Sequence, residues 1–248
     1  MKNRRIVVAT ATVAWSVALA CSAAAKEKDS ANSGKQVDSG SFSVLMSGVR
    51  VATETFSIQQ GATGSTISSQ FKSAAGEQVA EQSSQLQLTP SAELRKYEWK
   101  ATAPEKASAT VLPNDAFLIE TYTVGADNKP SAQNFLLPAS TSILDDYFFI
   151  HREVLAWKYL ASACKNEKGS LNCPHQKVQF GALNPHARTS MSVTIEFSGR
   201  DKVSLRGAER ELSKFVLSSE AGDWTFWLDD QLKLVRLRNE TGTEIVRD

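Results

Sequence analysis

The chain has no G-x-S-x-G elbow, Walker loop, H-E-x-x-H pair or dinucleotide glycine fingerprint, so the commonest hydrolase, nucleotide and zinc-protease chemistries lack their anchor residues. The one glycine-rich stretch, Gly61-Ala62-Thr63-Gly64-Ser65, has no lysine after it and reads as a hairpin turn. Histidine is scarce. With three in the chain, a histidine-based triad would have to use His151, His175 or His186, and the last two sit in Cys173-Pro174-His175 and Asn184-Pro185-His186, which read as solvated loops. Asp145-Asp146 and Asp229-Asp230 are adjacent pairs. Neighbours on a helix point about 100° apart, so neither makes an acid/base couple. No catalytic residue is assigned and no cofactor is implied. Excess charge is missing too: 28 basic against 27 acidic residues gives +1, which provides no electrostatic case for nucleic acid.

Cysteine is also sparse, at three. Cys164 and Cys173 with His175 would be a metal set without a convincing fourth ligand or a C-x-x-C spacing, so no metal site is assigned. The two are expected to form a disulfide that closes the loop after a helix, which suits an exported chain in an oxidising compartment.

Export is read from the N-terminus. Lys2, Arg4 and Arg5 precede an uncharged Val- and Ala-rich run, residues 6–25, whose apolar core of residues 6–20 falls short of the about 20 residues that span a bilayer. A signal peptide over residues 1–25 is expected. The alternative is cleavage after residue 20, because Val17-Ala18-Leu19-Ala20-Cys21 resembles a loose bacterial lipobox and would make Cys21 a lipid attachment point and membrane anchor. Either route places the protein in the periplasm or cell envelope. Residues 26–40 have no apolar periodicity and read as a flexible linker ahead of a single β-rich domain, residues 41–248.

Within that domain only one stretch has strong helical periodicity. From about 142 to 164, Ile143, Tyr147, Ile150, Val154 and Trp157 share a face, while Asp145, Asp146, Arg152 and Glu153 fall opposite, where water would solvate them. Ser142 followed by Asp145 reads as the start signal. About 22 residues make a rod roughly 33 Å long, enough to cross five or six strands at about 4.8 Å each. His151 and Lys158 interrupt the apolar arc beside Tyr147. Lys158 is expected to snorkel and His151 to bond backbone; alternatively, Tyr147, His151 and Lys158 anchor a ligand head group.

Everything else alternates with period two between turn residues. Phe42, Val44 and Met46 share a face, as do Glu54, Phe56 and Ile58, then Ile67, Ser69 and Phe71; Met191, Val193, Ile195 and Phe197 form the clearest half-buried strand. The Gln- and Ser-rich strand ending at Leu86 and Leu88 is placed at an edge or an exposed face, and Asp229-Asp230-Gln231 is a hairpin turn. Many short strands and one helix imply antiparallel order throughout. The fold class is therefore mainly β: a strongly curved antiparallel sheet or incomplete β-barrel with the helix in its concave face.

The strand pair around Gly48 to Ile58, the helix entered through Pro138, Asp145, Asp146, Tyr147 and Arg152, and the closing Trp227-Leu228-Asp229-Asp230-Gln231-Leu232 hairpin resemble the secreted family called domain of unknown function 3108. More distantly, a curved sheet cradling a helix is similar to the lipoprotein-localisation carriers of the bacterial envelope. The resemblance implies an envelope protein that holds a lipid or other hydrophobic molecule, or assists envelope assembly, and carries over no catalytic residues. The competing readings are a structural or protein-interaction module with a fully packed core and a hydrolase using His151.

Overall fold

The structure, a computed structural model, describes residues 34–73, 79–125, 129–167, 170–174 and 176–248. The expected signal peptide and Cys21 lie outside the described residues, as does His175.

Among the described residues, fifteen strands form one sheet that does not close on itself. The first half is a meander, β1 (Lys35–Met46), β2 (Val49–Gly61), β3 (Gly64–Ser73), β4 (Glu81–Leu88), β5 (Leu94–Ala103), β6 (Ala107–Asn114), β7 (Phe117–Val124) and β8 (Ser131–Phe135), each paired antiparallel to the next. β9 (Ser142–Ile143) and helix α1 (Ile150–Ala163) follow, then a two-stranded ribbon of β10 (Lys165–Glu167) and β11 (Ser170–Asn172). A second meander comprises β12 (Val178–Asn184), β13 (Thr189–Leu205), β14 (Ala208–Ser219), β15 (Gly222–Leu228), β16 (Leu234–Asn239) and β17 (Thr243–Arg247). The halves join where β17 pairs β1, which leaves β8 and β9 as the two edges.

Alternation places one face of these strands in one main core, and Val203, Leu205, Leu212, Trp227 and Val235 form a smaller separate cluster. Phe56 and Ile58 of β2, Ile67 of β3, Tyr97 of β5, Ile195 of β13, Phe215 of β14 and Phe226 of β15 all belong to the main core, together with Ile150, Leu155, Tyr159 and Leu160 of α1. The helix is tied to both halves. Glu54 of β2 accepts from its first turn, the Glu153 carboxylate accepts from Leu234 N–H of β16 at 2.6 Å, and Trp157 Nε1 donates to Leu232 O at 2.7 Å. At the β2–β3 hairpin Gly64 has φ +131°, and a side chain there would run into the Leu88 carbonyl.

Several expectations need correction. The helix covers 14 residues, not 142–164; Ser142 and Ile143 instead form β9, whose pairing with β12 is parallel, an exception to antiparallel order. Tertiary contacts outcompete the local start signal. The Asp145 carboxylate bonds Tyr147 N–H at 3.0 Å and is held by two distant side chains, which keeps 145–147 out of helical geometry. Ile143 and Tyr147 therefore leave the helical face, and Val154 and Trp157 on it are only half-buried. Asp145, Arg152 and Glu153, expected in water, are buried, and of that set only Asp146 is exposed. The linker ends sooner than expected, because residues 35–40 already belong to β1 and Asp38 there is buried against Lys233 and Arg247. The Gln- and Ser-rich β4 lies inside the sheet between β3 and β5, with Gln82, Ser84, Leu86 and Leu88 facing the core.

The disulfide between Cys164 and Cys173 is formed; it links the end of α1 to the chain beyond the β10–β11 ribbon and removes both thiolates as metal ligands. Closing a nine-residue separation restricts the unfolded chain by about 2–3 kcal/mol. A Cys164→Ser/Cys173→Ser variant is expected to unfold at a correspondingly lower urea concentration, and an unchanged midpoint would show that the bridge adds nothing.

Candidate functional site

Two features occupy the inner face. The first is a buried polar network built on Asp145. Its Oδ2 accepts from Tyr97 Oη at 2.6 Å and faces His186 Nδ1 at 2.6 Å; the other ring nitrogen of His186 meets Gln82 Oε1 at 2.6 Å. Trp99 stacks on the imidazole at 3.9 Å between centroids, and Tyr147 leans on it at 4.7 Å. Burial by itself would raise the Asp145 carboxyl, but His186, His151 and the Tyr97 hydroxyl outweigh it and hold the group below its ordinary value. Tyr97 moves the other way, raised by burial and by Asp145.

Glu54 performs the second polar task. Helix α1 has no local side-chain cap, and the Glu54 carboxylate takes its place, accepting from Phe149 N–H at 2.7 Å, Ile150 N–H at 3.3 Å and Ser69 Oγ at 2.7 Å. Burial pushes this carboxyl up to about 7 in spite of those bonds. Glu120, buried on β7 with neither oxygen hydrogen-bonded, is likewise raised to about 7 by burial.

The three expected ligand anchors have different surroundings. Tyr147 packs edge-on against Phe71. His151 is 1% exposed with both ring nitrogens unpartnered, so the expected backbone bond is not made; burial lowers its pKa to about 4. Lys158 donates to Ser140 O at 2.6 Å and Ser142 Oγ at 3.2 Å. His186, read as a solvated loop residue, stands at the centre of the network. Nothing in Asn184-Pro185-His186 signals that, because its partners come from β4, β5 and residue 145.

The second feature is an apolar groove of about 330 Å³ between the less buried side of α1 and the first meander. Val37, Ile58, Ile67 and Leu88 form its floor, Val154 and Trp157 its wall, and Lys158, Ser91 and Thr89 contribute polar groups to its lining.

No family model matches the chain, and no curated protein matches it. One solved structure does. It is a crystal structure of a DUF1089 family protein from Pseudomonas aeruginosa, 10% identical, covering 75% of this chain and 89% of its own, with a TM-score of 0.46. At that level of likeness it says nothing about activity.

Proposed function

We propose that this is an exported, noncatalytic envelope protein that binds or carries a small amphiphile, its apolar chain in the groove between α1 and the sheet and an anionic head at Lys158. The groove carries this reading. Its 330 Å³ lies at the small end of the about 300–1,000 Å³ typical of ligand pockets, which suits a single acyl chain rather than a two-chain lipid. Lys158 has three donors and two acceptors in place, Ser140 O and Ser142 Oγ, so one donor is left for a ligand carboxylate or sulfate. The resemblance to the domain of unknown function 3108 family belongs to the same proposal. The Cys164–Cys173 bridge supports an oxidising compartment.

The polar network supports a noncatalytic role. His186 has both nitrogens occupied by Asp145 and Gln82, and His151 is enclosed by Tyr97 and Phe148, so neither offers a base to a substrate. A module with a wholly packed core is disfavoured by the groove.

A dansyl-labelled medium-chain fatty acid tests the proposal. Fluorescence should rise on mixing with the purified protein and fail to rise with Val154→Trp, which fills the groove from its wall. Lys158→Met should weaken the fatty acid about tenfold, the value of one charge-assisted hydrogen bond, and leave the matching fatty alcohol unaffected. Equal uptake by wild type and Val154→Trp would sink the groove as the site.

A further inference from the structure

A different cavity, of about 300 Å³, opens between residues 144–152 and the second meander. Leu144, Phe149, Met191 and Trp224 give it apolar walls, Asn184 contributes an amide, and Arg152 lines it from the first turn of α1. Arg152 is 7% exposed. Its Nη1 donates to Asp145 O at 2.6 Å, Nε has no hydrogen-bond partner, and it forms no ion pair among the described residues. Phe149 and Trp224 flank the guanidinium, at 5.2 and 5.7 Å from their ring centroids.

A guanidinium cannot shed its charge, and a buried one is ordinarily paired with a carboxylate. Here folding has already stripped Arg152 of most of its water, and the nearby carboxylates of Asp146, Asp145 and Glu54 favour its charge without any of them forming a direct ion pair with it among the described residues. A ligand carboxylate entering the cavity therefore gains charge-assisted hydrogen bonds while the arginine's share of the desolvation has been met beforehand. Asp146, on the same cavity and exposed, sets a limit on charge: it repels a dianion more than a monoanion.

We infer that the Arg152 cavity is a second binding site, separate from the α1 groove, for a small monoanionic carboxylate with an aromatic or apolar body. The carboxylate meets Arg152 and the body lies against Trp224 and Met191.

Calorimetric titration of the whole purified protein with phenylacetate reads this directly. Phenylacetate should bind, the neutral phenylacetamide about ten- to hundredfold more weakly, and phenyl phosphate no more tightly than phenylacetate. Arg152→Lys should lose affinity by a similar factor. Because Arg152 also braces 145–148 and its variant could misfold, Ala221→Trp is the second test: Ala221 is an exposed residue of the cavity lining, so the indole closes the cavity and should abolish binding with no change in melting temperature. No phenylacetate binding, equal binding of the amide, tighter binding of phenyl phosphate or undiminished binding by Ala221→Trp would each overturn the assignment. Val154→Trp, which blocks the groove, should leave phenylacetate binding intact, so failure of either site is distinguishable from failure of the other.

Discussion

Glu54→Ala is expected to destabilise the protein by about 3–5 kcal/mol, because it leaves the buried N–H groups of Phe149 and Ile150 without their acceptor, at roughly 1–3 kcal/mol each, and leaves the Ser69 hydroxyl only its longer bond to Thr55 O. For a domain of this size that corresponds to a fall of about 10 °C in melting temperature. Scanning calorimetry checks it, and a shift under about 2 °C would mean that the helix start is held by something else. The pH dependence tests the burial of the same carboxyl, which outweighs the opposing effect of those bonds. Folding raises the Glu54 carboxyl from 4.5 to about 7, so the folded state binds this proton more tightly than the unfolded chain. The resulting stability is complete below about pH 4.5 and is lost as pH rises through about 7. Glu54→Gln keeps an acceptor and removes the titration. Its stability relative to wild type should therefore improve by about 3 kcal/mol between pH 4 and pH 8; a pH-independent difference would refute the raised carboxyl.

Asp145→Ala should cost a similar amount, about 3–5 kcal/mol, because removing one member of a buried charged network leaves the others uncompensated. Tyr97 Oη, His186 Nδ1 and Tyr147 N–H would all lose their acceptor. Urea unfolding measures the loss. Here the sign of the pH effect is opposite: the Asp145 carboxyl is depressed in the folded state, so its contribution is present above the ordinary 3.8 and is lost as pH falls through the depressed value. Asp145→Asn should consequently unfold less steeply in acid than wild type, followed by tryptophan fluorescence. If the network acts as a unit, Tyr97→Phe should cost about 1–2 kcal/mol less in an Asp145→Ala background than alone. Strict additivity would show that the Tyr97–Asp145 bond is incidental.

The two carboxylates also show how far sequence reasoning reaches. Period-two alternation places Glu54 on the same face as Phe56 and Ile58, and that face is the buried one. What alternation cannot say is that a glutamate among apolar neighbours is the cap of a helix some 95 residues away. Asp145 misleads in the other direction. Laid on a helical wheel it falls with Asp146, Arg152 and Glu153 on an apparently solvated side, yet three of these four are buried: Asp145 precedes the helix and is held by Tyr97 and His186, while Arg152 and Glu153 lie on a first turn that is enclosed on that side as well. The helical wheel assumes one wet face, and an element enclosed by a curved sheet does not have one at its N-terminal end. Val154 and Trp157, read as the packing stripe, pack against the core and also line the groove, which therefore lies where the periodicity suggested solid core.

His186 and Gln82 belong to loops and strands with no periodic signal, and their pairing spans 104 residues. Such contacts are properties of how the two meanders face each other. Local pattern determined the fold class, the disulfide partners and the inward face of most strands, because backbone geometry ties side-chain direction to sequence spacing at period two or 3.6. Where α1 begins, which charges are buried and where the cavities lie were decided only by tertiary structure, since each depends on desolvation and on partners brought together by folding rather than by neighbouring position in the chain.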